Sequence, residues 1–146
     1  MPTFHRSERL RSRKLIERLF REGQSFVAFP LRVVWIALTE KERVAAGLEA
    51  SPAQVAFSVP KRAYKSAVTR NRIRRQMREA YRQHKALLYE HLYSRSLHIA
   101  LLIIFIAKEE PSSSQLVKSM LKVARFFSTA SHPLSAGVDA QANHDL

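Results

Sequence analysis

The chain has 146 residues, the size of one domain, and 46% of them are hydrophobic, enough to bury a core. Its 25 Lys/Arg against 12 Asp/Glu leave a formal charge of +13, which points to a polyanionic partner, nucleic acid or an anionic membrane. The absence of cysteine excludes disulfides and thiolate metal sites, and three glycines are too few for a Gly-rich phosphate loop.

The N-terminal MPTFHRSERLRSRK has no apolar core of a signal peptide behind its charges. The longest apolar run, Ile99 to Ala107, is about half of what a membrane-spanning helix needs. The expectation is a soluble, cytoplasmic protein with no membrane partner.

The first element predicted is a helix over Ser12–Glu22. Leu15, Ile16, Leu19 and Phe20 share one face, Ser12 can cap the start and Gly23 the end. Pro30–Leu38 is rich in β-branched and aromatic residues and predicts a strand, with a shorter one over Ser25–Phe29 before it. Thr39–Ala53, with its charges, Gly47 and Pro52, predicts a long turn between antiparallel strands. Gln54–Val59 is the next strand, stopped by Pro60, which cannot donate to a ladder.

A helix follows from about Val68 to Leu88, with Ala67, Ile73, Met77, Ala80, Tyr81 and Leu88 as its apolar stripe. His91–Arg95 reads as a connection. Ile99–Ala107 is apolar without alternation, as in a strand covered on both faces. The last helix spans Ser113–Phe127, burying Leu116, Val117, Met120, Leu121, Ala124 and Phe127. Residues 128–146 are expected to form a disordered tail after a single domain over 1–127. The order predicts an α+β sandwich, helices packed on one small sheet.

Charge is concentrated in one place. Phe57–Lys85 holds ten Lys/Arg (Lys61, Arg62, Lys65, Arg70, Arg72, Arg74, Arg75, Arg78, Arg82 and Lys85) against one acid, Glu79. A solvated helix face alternates signs, and this one does not. Arginine presents a rigid fork of donors to phosphate and stacks on bases. Arg70, Arg74 and Arg78 recur every fourth residue, ~6 Å apart along the helix. Asn71 is placed to orient a neighbour or to touch a base edge or 2′-hydroxyl.

Signs of protein-based chemistry are thin. His84, His91 and His98 are seven apart, but run from a helix into a strand and do not have metal-ligand spacing. No serine or threonine has the histidine–acid context of a nucleophile, so no catalytic residue and no metal ligand is assigned. Phe20, Phe26, Phe29 and Trp35 are either core or the floor of a groove on which single-stranded bases stack.

The segment Val59–Arg82 resembles the signature of the bacterial ribonuclease P protein subunit. The residues that carry it are Lys61–Arg62, Ala67–Val68, the triplet Arg70–Asn71–Arg72, Ile73, the pair Arg74–Arg75, and Arg78–Glu79–Ala80–Tyr81–Arg82. The resemblance implies an αβββαβα two-layer sandwich with a left-handed βαβ crossover, similar to domain 2 of ribosomal protein S5. It implies binding to the catalytic RNA of ribonuclease P, which with Mg²⁺ removes the 5′ leader of precursor tRNA. Catalysis would belong to the RNA, within a ribonucleoprotein endoribonuclease, with no organic cofactor and no obligatory protein partner.

By the same resemblance, Lys61, Arg62, Lys65, Arg70, Asn71, Arg72, Arg74, Arg75, Arg78 and Arg82 would meet the catalytic RNA. Phe20, Phe26 and Trp35 would face the leader in a cleft between sheet and first helix, and Arg11, Arg13 and Lys14 would meet substrate phosphates. The rival is a structural, ribosomal-type RNA-binding protein, which shares the arginine helix but needs no aromatic cleft.

Overall fold

The computed structural model describes residues 3–45 and 51–128. A single 3-10 turn, Arg6–Glu8, leads into α1 (Arg13–Glu22), β1 (Gln24–Ala28), β2 (Leu31–Ala37), α2 (Glu40–Ala45), β3 (Ala53–Ser58), α3 (Ala67–Ser94), β4 (Ile99–Phe105) and α4 (Ser113–Phe126). The expected α+β fold and its αβββαβα order are present, with the short α2 added.

The four strands lie in the order β1-β2-β4-β3. β1–β2 and β2–β4 are antiparallel, while β3 and β4 run parallel with α3 as the crossover. β2 and β3 are therefore not neighbours: the turn expected between them spans the width of β4. Part of that turn folds as α2 because Thr39 and Glu42 form a capping box. Thr39 Oγ1 accepts from the Glu42 amide at 3.2 Å, and Glu42 Oε1 accepts from the Thr39 amide at 2.9 Å. Residues 46–50, with Gly47, lie outside the described residues, as does the predicted tail from 129 onward.

Strand alternation splits the core in two. Phe26 and Ala28 of β1, Leu31, Val33 and Trp35 of β2, and Leu101, Ile103 and Phe105 of β4 point towards α3 and α4. Ile36, Ala100 and Leu102 point the other way, under Leu15 and Leu19 of α1. β4 is central and covered on both sides, which is why its sequence is apolar without alternation.

α1 begins at Ser12, whose Oγ accepts from the Leu15 amide at 3.3 Å. Gly23 ends it, but at φ −66°, not in the left-handed region. A Cβ there would meet the Leu19 carbonyl and lie 2.6 Å from Val34 Cγ1, so glycine is required where the chain folds tightly against the last turn of α1. α4 begins at Ser112, which forms a capping box with Gln115. Its buried Ser119 donates to the Ala28 carbonyl of β1, tying the helix to the sheet edge.

α3 runs 28 residues from the cap Ser66, six beyond the predicted end at Leu88. Ile73, Met77, Ala80, Tyr81, Leu88 and Leu92 are buried, whereas Ala67, expected in the stripe, is exposed in the first turn. The helix stops in a Schellman turn built on Ser96, at φ 52°. The Ser96 amide donates to the Tyr93 carbonyl at 3.1 Å and the Leu97 amide to Leu92 at 2.9 Å, with Leu92 and Leu97 both buried.

Candidate nucleic-acid interface

At 100° per residue, Asn71, Arg74, Arg75, Arg78 and Arg82 of α3 fall within an arc of about 100°. Asn71, Arg75 and Arg78 are exposed there, and Arg74 and Arg82 are half-buried. Arg75 and Arg78 are exposed and have no hydrogen bond or ion pair among the described residues. Arg74 donates to the Asn71 side-chain oxygen, so Asn71 orients a guanidinium. Arg82 is paired with Glu79, Nε donating at 3.0 Å and Nη2 at 2.5 Å. That contact holds the Glu79 carboxyl below its ordinary range. Lys61, Arg62 and Lys65 are exposed in the segment leading to the helix.

Two of the predicted arginines do other work. Arg70 turns back and donates to the carbonyls of Tyr64 and Lys65 at 2.8 and 2.9 Å, clasping the loop before α3. Arg72 lies outside the arc and binds Glu110, from the loop after β4, through both carboxylate oxygens. The regular ladder Arg70, Arg74, Arg78 is thus not uniformly presented. Glu110, 38 residues beyond Arg72, supplies an acid that the local charge count could not contain.

The aromatic set divides. Phe20 on α1 is 70% exposed, on the side of the sheet that α1 only partly covers. Phe26 and Trp35 do not face that side, contrary to expectation. Phe26 stacks on Phe126 with ring centroids 3.7 Å apart, and Trp35 meets Phe127 edge-on at 5.0 Å. Both are core, at 5% and 1% exposure. The cause is parity: Phe26, Val33 and Trp35 share the face under α4, leaving Val27, Arg32, Val34 and Ile104 to line the open side. Sequence reasoning missed these four; the exposed charge of Arg32 within an otherwise apolar strand is the signal that fixes the parity.

Near the start of α1 the same side carries a hollow of about 560 Å³, lined by Arg6, Arg9, Arg11, Ser12 and Gln54 among others. Arg11 was expected there; Arg6 and Arg9 were not. Behind it the buried Glu8 anchors the N-terminal segment to α3. Its Oε1 accepts from Lys85 Nζ at 2.5 Å and from the Tyr89 hydroxyl at 2.5 Å, and Oε2 accepts from the His5 amide at 2.7 Å. Burial pushes the Glu8 carboxyl up, but these donors together outweigh it and leave it below its ordinary value.

His84 and His91 lie on α3 and His98 just before β4. Among the described residues no three His, Asp or Glu side chains converge as a metal site. His98 Nε2 is 3.3 Å from Arg43 Nη1, and burial together with that cation pushes its pKa down. No helix among the described residues is long and apolar enough to cross a membrane.

The family model described as Ribonuclease P matches residues 4–127. The chain belongs to the ribonuclease P protein family. It is 37% identical over 123 residues to a ribonuclease P protein component of Porphyromonas gingivalis, covering 83% of this chain and 85% of the relative. A second strain's protein of the same description is 35% identical over 117 residues, 80% of each chain. The ribonuclease P protein fold is also found in solved structures. That of Staphylococcus aureus superposes with a TM-score of 0.58 at 22% identity, covering 82% of this chain and 97% of that one. That of Thermotoga maritima gives 0.60 at 18%, covering 82% and 96%.

Proposed function

We propose that the chain is the protein subunit of ribonuclease P. It binds the catalytic RNA through the outer arc of α3 and the single-stranded 5′ leader of precursor tRNA on the open side of the sheet beside α1. The observation that carries this is the pair Arg75 and Arg78, exposed and without a partner among the described residues, beside Arg74 on α3 of a chain that matches the family over residues 4–127. Guanidinium groups held at fixed spacing meet phosphates at little further entropic cost, and each neutralised phosphate releases counterions. Phe20 offers a stacking surface, Arg32 a cation on the floor of the open side, and the Arg6/Arg9/Arg11 hollow a site for leader phosphates.

The chain's side chains position RNA and neutralise repulsion between two polyanions; they break no bond. Mg²⁺ supplies Lewis-acid chemistry when bound, and the phosphates of the RNA hold it. The donor set fits that division, since the carboxylates near the arc are taken up by Arg72 and Arg82. A structural RNA-binding protein would need the arc alone. The test is affinity for a bacterial ribonuclease P RNA against an unrelated structured RNA of equal length, across salt. Preference for the former with a steep salt slope is expected. Equal affinity for both would overturn the assignment.

A further inference from the structure

α3 and α4 enclose a groove of about 360 Å³ beside the arginine arc. Ala80, Leu116 and Val117 are its apolar wall, Gln76 and Gln83 its polar one, and Arg75 stands at its mouth. The Oε1 atom of Gln76 is shielded from solvent and has no hydrogen-bond partner among the described residues. An acceptor buried in that way costs stability, and such groups persist where something else supplies the donor.

We infer that this groove receives an unstacked nucleobase of the RNA lying on α3, an inference that rests on the RNA-binding role proposed above. A base is a planar ring with apolar faces and a polar edge. The apolar wall takes the face, and the Gln76 amide, which offers both a donor and an acceptor, takes the edge. Turning about its last torsion exchanges the two ends of the amide, so a base edge can meet either its donor or its acceptor. Arg75, exposed and without a partner among the described residues, is at hand for the phosphate of the same nucleotide.

Charge decides between RNA and a peptide as occupant. The groove is lined by Arg75, at the edge of the arc. Glu79, the acid on its rim, is already held by Arg82 and by Gln83 Nε2 at 2.9 Å. A polyanion crossing the arc therefore reaches the mouth of the groove without meeting an unpaired acid on that rim.

The test uses the full chain, a bacterial ribonuclease P RNA, and two variants. Gln76→Leu removes the unpartnered acceptor while keeping the volume; Val117→Trp fills the groove. Gln76→Leu should raise the melting temperature or leave it unchanged, yet weaken RNA binding at least threefold. Val117→Trp should weaken it by as much. The salt slope should not change for either, because a base contact releases no counterions. Variants that melt at or above the wild type and bind the RNA as tightly would overturn the groove as a base site. Weakened binding with a shallower slope would overturn it too, since the contact would then be to phosphate. Failure of the wild type itself to bind with a salt-dependent affinity would instead overturn the RNA-binding role.

Discussion

Arg72 and Glu110 face each other as a fork-to-fork pair, Nε and Nη2 donating at 2.8 to 3.1 Å to the two carboxylate oxygens. The contact joins the start of α3 to the loop after β4 and neutralises one arginine of the signature triplet. Arg75 and Arg78 have no such competitor among the described residues. Arg72→Ala should therefore cost less RNA affinity than Arg75→Ala or Arg78→Ala, each of which should flatten the salt slope by about one phosphate contact. Glu110→Gln should strengthen RNA binding, with a stability change within ~1 kcal/mol, as befits an exposed pair. Filter binding across salt and a urea melt measure both.

Phe20 and Trp35 carry opposite expectations. Truncating the exposed Phe20 to alanine should leave stability within ~0.5 kcal/mol of wild type and weaken binding of precursor more than of mature tRNA. Trp35→Ala should destabilise the fold by ~3–5 kcal/mol by opening a cavity against Phe126 and Phe127. Urea denaturation of both variants, beside their affinities for the two tRNA forms, separates surface from core.

Glu8 makes stability depend on acid. Its carboxyl is held below its ordinary value of 4.5, so the unfolded chain takes up a proton more readily than the folded one. The stabilisation is complete above that value and is lost as the pH falls through the lower, folded-state pKa. Glu8→Gln should cost ~1–3 kcal/mol at neutral pH, because Lys85 loses its counter-charge and the amide NH2 replaces the oxygen that accepts from the His5 amide. It should also flatten the fall in stability below about pH 4.5. Chemical denaturation from pH 3 to 7 reads both effects.

Ser96 occupies the left-handed position of the Schellman turn, which glycine adopts without steric cost. Ser96→Gly should stabilise the chain by ~0.5–1 kcal/mol. The substitution touches no proposed RNA contact, so a thermal melt should rise while RNA affinity holds.

The α+β architecture and most helix starts were legible because their causes are local: Ser12 and Ser112 cap, Pro60 stops a strand, and Ile73, Met77, Ala80, Tyr81 and Leu88 of α3 recur at helical spacing. The end of α3 was not, because the turn that closes it uses serine where glycine would have marked it. α2 was missed although Thr39 and Glu42 stand at capping-box spacing, their signal hidden among charges. The arginine helix was legible as a composition. Which arginines it presents was not, since the competitors of Arg70 and Arg72 are loop carbonyls and an acid 38 residues away. Phe26 and Trp35 were assigned to the wrong face because aromatic character names a class of contact, whereas parity within the sheet decides which side meets it.

The most direct measurement of the central claim is release of the 5′ leader from a precursor tRNA by a bacterial ribonuclease P RNA, at low Mg²⁺ and moderate salt, with and without this protein. Strong stimulation over RNA alone, with no cleavage by protein alone, is the predicted result. Tight, salt-sensitive RNA binding by the folded protein without stimulation would contradict it and leave a structural RNA-binding role in its place.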